Sequence, residues 1–232
     1  MTIDTASITQ IISAIGGLGL ASFGLVDSTK ALPGAGVSSS GFSSITAAVR
    51  LFVVDAGRDP NAPDLAGSLL QTLHGNWING MASVDQKAVA KSLIKLRLTP
   101  VTSAQYAKVT LVDPAALSDA ATSMTTGQPL SLAQSNALGR FDLALTAILD
   151  AAYHRADQRY RNVSKFLAGV FAVVLAFVAG GLVDTDWPTY FSSGHWMLAV
   201  IGGVLAVPLA PVSKDLTSAL TAGVKMAQSM KR

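Results

Sequence analysis

The chain has 232 residues, half of them hydrophobic and only 13% charged, with seventeen Lys and Arg against fourteen acids and no cysteine. Soluble domains carry about 25% charge, so this composition excludes an ordinary one, and the missing cysteines exclude disulfides, thiolate metal sites and Cys nucleophiles. The net charge of +3 is small; beside a membrane it reads as attraction to anionic lipid headgroups, not to nucleic acid.

Three apolar stretches, Thr5 to Val26, Phe166 to Val183 and Trp187 to Ser213, contain no Lys or Arg. Each is long enough to cross about 30 Å of hydrocarbon, which takes roughly 20 helical residues. Every cation lies between Lys30 and Lys165 or from Lys214 onward, and the Asp184 to Asp186 loop carries acid alone. Short loops rich in Lys and Arg stay cytoplasmic. The expectation is an all-α integral protein of the inner membrane, N-terminus outside and C-terminus cytoplasmic. Asp4 precedes the first stretch and no cation does, unlike a secretory signal peptide with its positive n-region.

In chain order, residues 1–40 hold the outer N-terminus, span one and a Gly/Ser-rich linker. Ser13, Gly17 and Ala21 recur at four-residue spacing on span one, a seam that lets another helix approach closely. The linker glycines around Leu32-Pro33-Gly34-Ala35-Gly36 lack the order of a phosphate-binding loop.

Residues 41–165 are expected to form a cytoplasmic helical domain. Helices are predicted over Phe42–Asp55 and over Asp64–Asn79, where Leu65, Leu69, Leu70, Leu73 and Trp77 share one face. A third helix starts at Ser83, with Ser83 and Gln86 in a capping-box pattern, and stops at Thr99-Pro100; a fourth starts at Asp113-Pro114, a cap followed by a first-turn proline. Val109 to Val112 is the only strand candidate. Ser131, with Gln134 as capping partner, opens a helix that meets no proline or turn before Gly180-Gly181, about 50 residues and roughly 75 Å long. It joins the domain to span two as a stalk, with Gly139 as its weakest point.

Residues 166–212 form a hairpin of spans two and three. Ala168, Ala172 and Ala176 make a seam on span two, and Ala199 with Gly203 one on span three. Pro208 and Pro211 are expected to kink or end span three. Residues 213–232 then read as a cytoplasmic amphipathic helix with Leu216, Ala219, Leu220, Val224 and Ala227 on one face.

Lys87, Lys91 and Lys95 form a ladder on one helix face, and Arg155, Arg159, Arg161 and Lys165 form a belt just before span two. Both are read as contacts to anionic lipid headgroups, the ladder also as a plain solvated face. Asp150, His154 and Asp157 share a face and have the chemistry of divalent-metal ligands. The arginines in the same turns make a salt-bridged strip the simpler reading, and no catalytic, cofactor or metal residue is assigned. Apart from His195 at the outer mouth of span three, no Asp, Glu, His, Lys or Arg lies within a span. Pumps and proton-coupled carriers keep such groups there.

The residues name no reaction. They point to a non-enzymatic, homo-oligomeric membrane scaffold or interaction platform. Its partners would be anionic lipids, copies of itself and a cytoplasmic protein, without nucleic acid or cofactor. The alternative is an oligomeric channel around a central axis.

Overall fold

The structure is a computed structural model. It describes residues 5–29, 36–53, 65–184 and 186–229, with side chains over 10–29, 36–53, 67–184 and 186–212. Among these residues every regular element is helical: α1 Thr5–Ser28, a 3-10 turn Gly36–Ser38, α2 Ser39–Arg50, α3 Leu65–Ile78, α4 Ser83–Leu96, α5 Pro100–Thr110, α6 Pro114–Thr126, α7 Leu132–Val183, α8 Trp187–Ser192 and α9 His195–Ser229. Three helices, α1, α7 and α9, are long and apolar enough to cross a membrane. Most of the linker, the Asp55 to Asp64 segment and the side chains of the tail from Ser213 onward lie outside the described residues.

The chain divides into two compact units, Ser38–Tyr160 and the remainder. The first is a helical domain built on the lower part of α7. Phe141, Leu145, Leu149, Ala152, Tyr153 and Ala156 are all buried; their spacing of three and four residues puts them on one stripe. Against this stripe pack Ile45, Val49, Leu73, Ile94 and Leu117, each buried, from α2, α3, α4 and α6. Tyr106 of α5 sits at the centre, its ring stacked on Phe141 at 5.9 Å and met edge-on by Phe52 at 5.4 Å. Burial of each such side chain stabilises the fold by about 1.5–3 kcal/mol before entropy is counted.

Local chemistry sets the helix ends. Asp113 accepts hydrogen bonds from the Ala115 and Ala116 amides, and Pro114 fills the first turn of α6. At the start of α7, Ser131 N donates to Gln134 Oε1 at 2.8 Å while Gln134 N donates to Ser131 Oγ at 3.3 Å. The helix then runs 52 residues, continuous through Gly139.

Four expectations change. The strand candidate Val109 to Val112 is the end of a helix, α5, which the Thr99-Pro100 stop signal hides. Thr99 caps α5 reciprocally with Thr102, Pro100 is its first residue, and Leu111 closes it in the left-handed region at φ 55°. Ser83 does not cap α4: Ala82 occupies that position without a side-chain bond, and the buried Gln86 turns its amide to Met81 O at 2.6 Å.

Span three does not begin at Trp187. Asp186 accepts from the Thr189 amide at 2.7 Å and starts the short helix α8; Ser193 and Gly194 (φ 75°) then break the chain before α9 opens at His195. Finally, Pro208 and Pro211 lie inside α9, which continues to Ser229, so span three and the tail are one helix. The prolines leave the Val204 and Val207 carbonyls without their helical donors, a loss that apolar spans tolerate when neighbouring groups compensate.

Candidate functional site

The apolar helices contact one another through small residues. On α1 the buried positions are Gly16, Gly19, Ser22 and Val26. A Cβ on Gly19 would overlap the Ala206 carbonyl oxygen, and it would lie 3.0 Å from the Ala210 methyl carbon; Ala206 and Ala210 are themselves buried. Ser22 satisfies its hydroxyl by donating to Leu18 O at 2.8 Å. At Gly203 of α9 a Cβ would stand 2.5 Å from Val173 Cα and 3.0 Å from Ala172 O, so α7 and α9 touch backbone to backbone. Ala168 and Ala172 are completely buried, while Ala176 and Ala199 are half-buried along a cavity between α7 and α9.

The Ser13, Gly17 and Ala21 seam has a different environment. Gly17 and Ala21 are exposed, Ser13 is half-buried, and a Cβ at Gly17 or Gly24 meets nothing within 4 Å. At about 100° per residue, Gly17 and Gly24 lie on the side of α1 opposite Gly19, Ser22 and Val26. The face that seats α9 is thus one that the four-residue spacing did not mark.

Where α7 turns toward α8, Gly180 and Gly181 leave room for the Tyr190 and Trp187 rings. Tyr190 donates its hydroxyl to Phe177 O at 3.2 Å, and Phe177, Trp187, Tyr190 and Phe191 form one aromatic cluster. A cavity of about 520 Å³ lies beside it, with His195 Nδ1 2.8 Å from Asp184 Oδ2 at its wall.

Within the helical domain the lysine ladder has partners. Lys87 Nζ lies 2.6 Å from Asp150 Oδ1; Lys91 and Lys95 share Asp142, at 2.6 Å and 2.8 Å to its two oxygens. All three pairs join α4 to α7. Burial pushes the Asp142 carboxyl up, but the hydrogen bonds and charges of Lys91 and Lys95 outweigh it and hold the group below the ordinary carboxylate value. Asp150 is lowered by its hydrogen bond from Lys87. With Asp150 engaged in this way, Asp150, His154 and Asp157 do not gather, and no group of three His, Cys, Asp or Glu side chains with metal-binding geometry occurs among the described residues.

The arginines of the belt behave otherwise. Arg155 and Arg159 are exposed on the domain part of α7, and Arg159 Nη1 donates to Ser43 Oγ of α2 at 3.0 Å. Neither forms an ion pair among the described residues. Both border a groove of about 830 Å³ between α2 and α7, whose other walls are chiefly alanine, with Leu51, Ile148 and the Ser43 and Ser44 side chains. Charge spacing could not reveal this groove, because it depends on which faces of α2 and α7 the domain leaves uncovered. Arg161 and Lys165 are exposed residues of the other unit.

His74 tilts against the Phe42 ring at 4.7 Å, and Trp77 Nε1 donates to Ser38 O at 2.6 Å. Both are packing contacts of the α2–α3 corner. No protein-family model, curated protein or solved structure matches the chain.

Proposed function

We propose that this chain is a non-enzymatic, multi-pass protein of the inner membrane that assembles with copies of itself into a scaffold, and that its helical domain stands in the cytoplasm as an interaction platform. One observation carries the reading: a face of α1 built from Ser13, Gly17, Ala21 and Gly24 points away from the helix that α1 packs on, and its two glycines meet no neighbour. Helix association in lipid rests on close packing of small residues, so such a face suits a second copy. The orientation follows from the cation asymmetry, with thirteen Lys and Arg between Lys30 and Lys165 and four from Lys214 onward.

The test is the mass of the full chain in nanodiscs, for the parent and for Gly17→Leu. Leucine at Gly17 enters open space within the chain, so the variant keeps its own fold and loses assembly. A parent that runs as a monomer, or a Gly17→Leu variant of unchanged mass, removes the proposal. A reporter fused at Lys91 that appears on the outer side removes the orientation.

A further inference from the structure

The groove between α2 and α7 has two ends of different chemistry. Ser43 and Ala47 of α2 and Leu51 at its C-cap stand four residues apart, and Ala147, Arg155 and Arg159 lie at multiples of four along α7. All six line the groove. Gly41, at the start of α2, lies on the Ala156 carbonyl of α7, whereas Phe52, past its end, reaches Phe141 through the Tyr106 ring, so the helices run antiparallel here. One end therefore carries two guanidinium groups and a hydroxyl, and the other is walled by Leu51 and Ala147. Along α7 the groove runs from Ala147 to Arg159, twelve steps of helix or about 18 Å, comparable with the ~15 Å that one leaflet contributes to a 30 Å hydrocarbon core. Its volume of about 830 Å³ falls within the ~300–1,000 Å³ of small-molecule sites.

We infer that this groove binds one anionic phospholipid, with the phosphate held by Arg155 and Arg159 and one acyl chain laid along the alanine floor toward Leu51. Charge complementarity selects the occupant. A guanidinium has five N–H donors; Arg159 uses one on Ser43, and Arg155 makes no hydrogen bond or ion pair among the described residues. Arginine forks match the oxygens of a phosphate. Apart from the arginines and the Ser43 and Ser44 hydroxyls near the α2 start, the lining offers only methyl and methylene surface. In sequence, Arg159 precedes the apolar run beginning at Phe166 by seven residues, so a molecule that is part phosphate and part hydrocarbon is at hand. A soluble anion would leave the apolar length empty, and an apolar helix would leave the cations unmet. The inference does not depend on self-assembly: retention is counted per chain, and a monomer serves as well as a ring.

The experiment uses the full chain, delipidated in detergent, with dioleoyl-phosphatidylglycerol, dioleoyl-phosphatidylcholine and glycerol 3-phosphate as probes and native mass spectrometry as readout. One phosphatidylglycerol per chain should be retained, about tenfold more tightly than phosphatidylcholine, and glycerol 3-phosphate should not displace it. Arg155→Gln with Arg159→Gln should lower retention about tenfold. Ala147→Trp, which fills the apolar end without touching a charge, should lower it as much. Ala47→Phe serves if that variant fails to fold. Retention unchanged by either groove-filling variant would show diffuse surface charge and overturn the site. So would displacement by glycerol 3-phosphate, or a second protein copy lost on Ala147→Trp in place of a lipid.

Discussion

Gly203 of α9 lies directly on the backbone of Val173 of α7: a Cβ at Gly203 would stand 2.5 Å from the Val173 Cα. The contact leaves no space for a side chain. Gly203→Leu should therefore separate α7 from α9, with an overpacking penalty of about 1–3 kcal/mol or more. Thermal unfolding in detergent checks it. Gly17→Leu, in open space, should leave the midpoint of the dissociated, dilute chain unchanged, and equal loss in both variants would contradict this packing.

The shared carboxylate of Asp142 makes a second prediction. Asp142→Asn weakens two contacts at once, from Lys91 and Lys95, and both are partly exposed. Exposed ion pairs contribute about 0.2–1 kcal/mol each, so the loss should be about 1 kcal/mol. Lys87→Gln, which removes the single pair to the more exposed Asp150, should lose less. Denaturant unfolding of the full chain measures both, and a larger loss at Lys87 than at Asp142 would reverse the ranking.

The same pairs imply a pH dependence. Asp142 and Asp150 both titrate below the ordinary carboxylate value of 3.8 in the folded chain. A carboxyl whose folded value is depressed contributes stability that is complete above its unfolded value and is lost as pH falls through the folded one. The α4–α7 contact should thus be indifferent to pH from about 7 to 5 and weaken below about 4. An unfolding midpoint followed against pH in the parent and in Asp142→Asn should converge in acid. Curves that stay parallel down to pH 2 would show that the lysines do not act through this group.

Much of this architecture could be read from residue order alone. The apolar runs located α1, the upper part of α7 and α9; Asp113-Pro114 and Ser131 with Gln134 marked the starts of α6 and α7 because a cap acts within four residues of itself. What escaped depends on distant partners. Thr99-Pro100 stops one helix and caps the next, and only the burial of Tyr106 against Phe141 makes the β-branched stretch after it helical. The lysine ladder has the spacing of a surface face, yet its counterions come from 47 to 63 residues away. Small residues line two opposite faces of α1, and the register against Ala206 determines that Gly19, not Gly17, faces α9.

Tyr153 supplies the last prediction. Its ring is buried against Trp77 at 6.4 Å, and its hydroxyl has no hydrogen-bond partner among the described residues. Burial pushes the phenol up to about 12. A buried hydroxyl without a partner keeps its desolvation penalty, about 1–3 kcal/mol, with nothing to offset it. Tyr153→Phe keeps the ring and removes that penalty, so it should raise stability by about 1 kcal/mol. Tyr153→Ala should instead lose about 3–5 kcal/mol, the range for truncating a large buried aromatic. Denaturant midpoints at unchanged slope separate the two effects. A destabilised Tyr153→Phe would mean that the hydroxyl is bonded in solution, through an ordered water or a small shift of α3.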